Sequence, residues 1–160
     1  MKYLITESQY KLLLEEQEVL HFPTIDLFGG WEEMQKYLKR KGNPMYSVGG
    51  DLDLLGLPIE SLGNLKSVGG SLFLNYTPIE SLGNLEYVGG DLDLLWAPIK
   101  SLGNLKSVGG TLVLRATKIN TLGNLKYVGG ALNLQMTPIS KKYSLDKIRQ
   151  LVNVNGNIYL

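Results

Sequence analysis

The chain has 160 residues and a formal net charge of +1, with 16 basic and 15 acidic side chains. This balance argues against duplex nucleic acid and anionic membranes as partners, because both attract strongly basic surfaces. The sequence contains no cysteine, which excludes thiolate catalysis and cysteine-based zinc sites and fits a reducing compartment.

Residues 1–45 predict two amphipathic helices joined by a connector. The first helix is predicted over residues 7–19, where apolar residues on one face oppose charges on the other. The connector contains a segment, residues 24–27, that has the composition of a short strand. A second helix is predicted from Trp31 to Arg40, and its apolar face consists of Trp31, Met34 and Leu38.

From residue 46 onward one short segment recurs at a constant interval, without insertion. The copies begin at Ser47, Ser67, Tyr87, Ser107 and Tyr127, and the fifth loses the pattern after Ile139. A fixed period of this length predicts a solenoid, in which each coil packs only on its neighbours.

Each copy contains a period-two pattern that predicts a short strand with one buried face. In the first copy Leu52 and Leu54 alternate with polar residues, and the strands of successive copies are expected to form one parallel sheet along one side of the stack. The pair Gly49-Gly50 is expected to give the backbone freedom to bend just before the strand. Four further apolar positions at spacing three are predicted to point inward: Ile59, Leu62, Leu65 and Val68.

This pattern resembles the leucine-rich repeat superfamily over residues 46–140. Leu52-x-Leu54 and Ile59 match the family's L-x-x-L-x-L-x-x-N-x-L. The resemblance implies an α/β repeat solenoid with a parallel β-sheet on one face. The short period predicts a straight stack without long helices. The sequence departs from the family where the asparagine would stand, at Leu57, Thr77, Ala97, Thr117 and Thr137.

Residues 141–160 predict a short helix and a final strand. The helix is expected from Ser144 to Leu151 with Leu145, Ile148 and Leu151 facing inward. The chain thus divides into an N-terminal helical cap (1–45), five repeats (46–140) and a C-terminal cap helix with a strand (141–160). Caps are expected at both ends because an open solenoid end exposes core leucines and unpaired strand edges.

Two surfaces are candidates for self-association. Helix 7–19 presents an apolar face that would fit a partner or a second copy of the chain. The edge of the C-terminal strand could pair with another chain. The opening residues, 1–9, resemble the starts of small proteins of tailed bacteriophages.

The residues that carry chemistry are not assembled into a recognisable set. His21, the single histidine, lies in the connector, and the Gly-Gly pairs lack the Lys-Ser/Thr of a phosphate-binding loop. The carboxylates of Asp53 and Asp93 lie two coils apart, about 10 Å, which is too far to share a calcium ion. We therefore expect no enzymatic activity, no cofactor and no metal site.

The outward face of the strands is the best candidate for function. The core positions hardly change between copies, whereas the outward positions do, and aromatic, aliphatic and arginine side chains are typical of protein-binding surfaces. The predicted partner-binding residues are Leu55, Asp53, Phe73, Tyr76, Asp93, Leu95, Trp96, Arg115 and Met136. The sequence therefore favours a non-catalytic, protein-binding solenoid.

A second hypothesis from another class is a protein that sequesters a small molecule. A nucleotide base could stack on Trp96 beside Arg115, or bind near the C-terminal cap. Residues 1–20 carry several charges and contain no signal-peptide core, so a cytoplasmic location is expected. With the bacteriophage resemblance, this becomes the host cytoplasm and a partner from the host's antiviral defence.

Overall fold

The structure, a computed structural model, describes residues 19–160. The chain forms a β-solenoid of stacked coils, and equivalent positions of neighbouring coils pair in register. Ser67 pairs with Tyr87 in one sheet, and Leu72 pairs with Leu92 in another. The repeat solenoid predicted from the period is confirmed. The predicted helix 7–19 lies outside the described residues.

Two parallel sheets run along the stack. The first has seven strands: β1 (Leu20–Phe22), β2 (Tyr46–Val48), β4 (Leu65–Val68), β6 (Tyr87–Val88), β8 (Ser107–Val108), β10 (Tyr127–Val128) and β12 (Asn153–Val154). The second has six: β3 (Leu52–Asp53), β5 (Leu72–Phe73), β7 (Leu92–Asp93), β9 (Leu112–Val113), β11 (Leu132–Asn133) and β13 (Ile158–Tyr159).

The predicted parallel sheet is the second of these, and the first was not predicted: the residues before each glycine pair form a ladder of their own. The glycine pair is the corner between the two sheets. Neither glycine of the pair has a positive φ; they are required because the backbones of successive coils nearly touch. A Cβ on Gly89 would lie 2.0 Å from the carbonyl oxygen of Gly69, and one on Gly109 would lie 2.1 Å from that of Gly89.

The predicted inward positions form one continuous hydrophobic core. In the first copy Leu52, Leu54 and Leu62 are buried, whereas Ile59 is only half-buried. The isoleucines equivalent to Ile59 in the later copies, Ile79, Ile99, Ile119 and Ile139, are fully buried. Each buried aliphatic side chain contributes about 2 kcal/mol, so the core is the main source of stability.

The N-terminal part of the described chain packs against the first copy. A 3-10 helix spans Ile25–Phe28, where a strand was predicted over 24–27; the Thr24 hydroxyl accepts a hydrogen bond from the Asp26 amide and starts the helical turn. Helix α1 (Trp31–Arg40) has the predicted bounds, and its predicted apolar face is buried.

Two short helices, α2 (Pro138–Lys142) and α3 (Leu145–Leu151), lie between β11 and β12. They form one side of the last coil, and Ile148 is the buried residue of α3. The prediction that Leu145 and Leu151 face inward was wrong, since both are exposed. That the terminal helices act as caps stays a prediction, as do the boundaries of the three segments.

No helix within residues 19–160 is both long enough and apolar enough to cross a membrane.

Candidate functional site: a strained corner of the solenoid

Each strand of the second sheet through β11 is followed by a tight turn that contains a residue with a positive φ. In the second and third copies the turn is closed by hydrogen bonds from the amide of Thr77 to Leu74 O (3.3 Å) and from that of Ala97 to Leu94 O (2.9 Å). The residues with positive φ are Gly56 (64°), Tyr76 (60°), Trp96 (64°), Ala116 (60°) and Met136 (60°). We call this row the αL corner.

This backbone conformation is strained for four of the five residues. A side chain at a positive φ brings its Cβ close to the neighbouring carbonyl oxygen, which costs roughly 1–2 kcal/mol per residue. Turns of this kind normally place Gly or Asn there. Only the first copy follows that rule, with Gly56.

A second corner of the same coils shows the unstrained solution. Its residues also have positive φ, and all are glycine: Gly63 (59°), Gly83 (58°), Gly103 (56°) and Gly123 (59°). At Gly103 an added Cβ would meet nothing within 4 Å, so the φ angle alone accounts for the glycine. The same repeat therefore avoids the strain at one corner and accepts it at the αL corner.

The side chains at the αL corner project into solvent. Tyr76 is 57% exposed, Trp96 55% and Met136 59%. Their backbone is nevertheless held in the ladder, since the amide of Tyr76 donates to Leu95 O (2.9 Å) and the amide of Trp96 to Arg115 O (3.3 Å). Large apolar groups are thus presented from a fixed frame.

A groove of about 590 Å³ lies along this corner. Tyr76 and Trp96 line it together with buried residues at its floor, where the Thr77 hydroxyl is satisfied by donating to Leu74 O at 2.7 Å. The remaining lining residues are Pro78, Ala97, Pro98, Ala116 and Lys118. The groove is apolar apart from the lysine at one end.

The other predicted apolar binding residues lie close to the αL corner in sequence. Leu55 is 51% exposed, whereas Phe73 and Leu95 are half-buried. The Arg115 guanidinium does not line the groove; its Nη2 lies 3.9 Å from Met136 Sδ, one coil further along.

Asp53 and Asp93, also predicted to bind a partner, have a structural role. The Oδ1 atom of Asp53 accepts a hydrogen bond from the Leu55 amide (3.1 Å), and that of Asp93 from the Leu95 amide (2.9 Å). Each carboxylate therefore orders the chain just before the αL corner.

Another set of outward side chains, at one repeated position, links neighbouring coils by hydrogen bonds. Its side-chain oxygens accept hydrogen bonds from the amide at the same position of the next copy: Asp51 from Ser71 (2.7 Å), Ser71 from Asp91 (3.1 Å), Asp91 from Thr111 (2.6 Å) and Thr111 from Ala131 (3.4 Å). Every side chain of this column can accept a hydrogen bond, except that of Ala131 in the last copy. Of the outward residues predicted to bind a partner, those without such a structural role lie at the αL corner and beside it in sequence.

Sequence reasoning placed Tyr76 and Trp96 on the surface. It missed the strain of their backbone and the part that Pro78, Pro98 and Lys118 have in lining the groove. The one available signal was Gly56, which stands in the same column and marks it as a position where the backbone favours glycine.

Three other features bear on a small-molecule site, a metal site and a catalytic histidine. A hollow of about 450 Å³ near the C-terminus is lined by Arg149 and residues 152–157. Within residues 19–160 there is no group of three His, Cys, Asp or Glu side chains placed to hold a metal ion. His21 Nδ1 is hydrogen-bonded to the Ser47 hydroxyl.

Comparison of the chain with protein-family models, with curated proteins and with solved structures finds no match.

Proposed function

We propose that this chain is a non-catalytic binding solenoid that engages another protein through the αL corner and the adjoining edge of the second sheet. The observation that carries the proposal is the contrast between its two positive-φ corners. The second corner holds glycine in each of the four copies in which it occurs. The αL corner holds glycine only in the first copy, and tyrosine, tryptophan, alanine and methionine in the later ones. Strained backbone of this kind concentrates at sites of function.

At about 1 kcal/mol for each strained residue, Tyr76, Trp96 and Met136 together lower stability by roughly 3 kcal/mol. These three side chains are more than half exposed, so most of the surface of each stays available to a partner.

The composition of the corner supports a protein partner. Trp, Tyr, Met and Arg are enriched at protein interfaces, and a few aromatic anchors usually supply most of the binding energy. Tyr76 and Trp96 would be the anchors, and Leu55, Phe73 and Leu95 would extend the apolar surface. The apolar row runs along the stack, so it suits an elongated segment of a partner.

Two finer expectations belong to this proposal. The likeness to leucine-rich repeats rests on the leucine pattern of residues 46–140. The idea of a host partner, acting in host cytoplasm, rests on residues 1–9, which lie outside the described part of the chain.

The decisive experiment uses a double variant, Tyr76→Gly with Trp96→Gly. We expect the free energy of unfolding, measured by urea denaturation, to stay within about 1 kcal/mol of wild type, because relief of the strain is offset by the lost partial burial and by the greater entropy of the unfolded chain. Partner proteins recovered from a lysate of the native host cells and quantified by mass spectrometry should be lost. Binding lost from a protein that shows the wild-type unfolding transition cannot be ascribed to unfolding.

A matched control is available on the first sheet. Tyr87 is also exposed, and Ser67 and Ser107 hold the same position in neighbouring copies. Tyr87→Ser should leave partner recovery unchanged. Equal recovery by the wild type and the double glycine variant would refute the proposal.

The second candidate, sequestration of a small flat molecule, is favoured by the groove between Tyr76 and Trp96. Its volume of about 590 Å³ falls within the usual range for ligand sites. Isothermal titration calorimetry with mononucleotides separates the candidates, because its signal does not depend on a tryptophan. Saturable binding of a mononucleotide that is lost in Trp96→Gly would favour the small-molecule function.

A further inference from the structure

The αL corner is flanked by charges that change sign along the stack. Four residues after the αL corner the first three copies carry Glu60, Glu80 and Lys100, and the fourth copy carries Lys118 two residues after it, all of them exposed. The ion pairs of the described chain, Lys36–Glu33 and Lys106–Glu86, involve none of these residues. The C-terminal half of the corner is therefore cationic and free to meet an anion.

The row of large side chains is interrupted at the same place. Ala116 follows Trp96 at the αL corner and leaves a notch before Met136, two coils from Trp96 and therefore about 10 Å wide. Lys118 lines the groove on one side of this notch. On the other, the Arg115 guanidinium reaches towards Met136, with Nη2 3.9 Å from Sδ. A small residue between two cations gives an anionic side chain room to approach both.

From this geometry we infer the chemistry of the partner: a linear peptide segment that places an apolar side chain in the groove between Tyr76 and Trp96 and a carboxylate in the notch at Ala116. This inference rests on the proposed protein-binding function of the same corner. The groove and the notch lie one coil apart, about 4.8 Å along the stack. Alternate residues of an extended peptide are about 7 Å apart on one face, so the acidic residue should lie within about two residues of the apolar one.

Charge favours an acidic peptide over a nucleic acid. A polyphosphate running along the corner would pass the carboxylates of Glu60, Glu80 and Asp53, whereas a peptide can place one carboxylate at the cations and apolar groups elsewhere. The net charge of +1 gives no general attraction for phosphates.

A random linear peptide library selected on the immobilised full chain tests the inference. The enriched peptides should combine an aromatic, aliphatic or proline residue with Asp or Glu within about two positions. Binding of an enriched peptide is then measured by the fluorescence polarisation of a dye attached to the peptide, so that variants with and without Trp96 are compared by the same signal.

The matched variants are Lys118→Glu and Lys126→Glu. Both reverse one exposed lysine of the fourth copy, but Lys126 lies beside the first sheet, next to β10. Lys118→Glu should weaken binding of the acidic peptide at least tenfold, and the affinity of wild type should fall with added salt. Lys126→Glu should bind within about twofold of wild type.

Each outcome is decisive. Enriched peptides that require Trp96 but carry no acidic bias, or that bind Lys118→Glu as tightly as wild type, would overturn the inference and leave the proposed function standing. Enriched peptides indifferent to Trp96→Gly would overturn both. Failure to enrich any peptide, or competition of the selected peptide by a mononucleotide, would also overturn the inference.

Discussion

Single side chains join the coils by satisfying backbone groups of a neighbour. Asn104 Nδ2 donates to Gly83 O at 3.2 Å, and Asn124 Nδ2 donates to Gly103 O at 3.1 Å. The recurring asparagine in Leu-Gly-Asn-Leu is thus a link between coils at a turn. The threonines that follow the αL corner behave differently: Thr117 Oγ1 donates to Leu114 O within its own copy, at 2.7 Å.

Sequence patterns identified the buried residues well and the strained ones poorly. An inward leucine is visible because its neighbours are polar and because the pattern recurs. The positive φ of Tyr76 and Trp96 leaves no such trace, since neither is Gly or Asn. Their strain follows from the ladder on each side of the turn, which is a property of the stack and not of the local sequence.

Tyr46 links α1 to the first copy and makes the free energy of unfolding depend on pH in the alkaline range. Its side chain is fully buried; the hydroxyl donates to Leu62 O (2.7 Å) and accepts from Gln35 Nε2 (3.1 Å). Burial raises the pKa of Tyr46, and the hydrogen bond from Gln35 opposes this only in part. The folded state therefore retains a proton that the unfolded chain loses above about pH 10.

We predict that Tyr46 contributes full stability below about pH 10 and that the free energy of unfolding falls by about 1.4 kcal/mol per pH unit above it. Tyr46→Phe cannot ionise and should lack this component, at a cost of about 1 kcal/mol at neutral pH for the lost hydrogen bonds. Urea denaturation between pH 9 and 11 measures both effects. Tyr87→Phe, an exposed control, should keep the wild-type slope, and the same slope in Tyr46→Phe would contradict the assignment.

At the scale of elements, the corner between the two sheets sets the spacing of the coils. Sequence reasoning recognised the glycine pair as a bend but attributed it to conformational freedom. The ladder of Val68, Val88 and Val108 escaped notice because only two to four residues per copy belong to it. A strand of that length has no clear alternation, and only pairing with its neighbours defines it.

Substitution of a corner glycine separates close approach from φ strain. Gly109→Ala would place a Cβ 2.1 Å from Gly89 O, and the backbones of two coils would have to separate. We predict a loss of about 3 kcal/mol or more in the free energy of unfolding, the upper end for overpacking. Gly103→Ala, where the added Cβ meets nothing within 4 Å, should lose only about 1 kcal/mol through its positive φ. Equal losses in urea denaturation would refute the steric explanation.

At the scale of the whole molecule, the architecture follows from the period. Neighbouring copies pair in register at a constant interval, so Tyr87 aligns with Ser107 and Ser107 with Tyr127. This regularity was readable from sequence because nothing interrupts it before Ile139. The final coil was harder to predict, since α2 and α3 replace the repeated pattern and leave Leu145 and Leu151 exposed.

Removal of one whole copy tests this modularity. Deletion of residues 107–126 brings Lys106 next to Tyr127 and restores the register of both sheets. We predict an unchanged far-ultraviolet circular dichroism spectrum per residue, a cooperative thermal transition and a lower melting temperature, because one nearest-neighbour interface is lost. Deletion of residues 107–116, half a copy, shifts the register and should abolish the cooperative transition. Similar melting curves for the two deletions would contradict a stack held by register.

The uniform backbone of the αL corner has a consequence for how such a molecule can change. Five different amino acids adopt φ angles between 60° and 64° there, so the conformation of the main chain is the same whichever of them it carries. Exchanging Tyr76 with Met136 would rearrange the outer surface and leave the scaffold untouched. Because the copies are nearly alike, recombination between them can exchange the residues at the αL corner. New binding specificities would then arise without a change of fold.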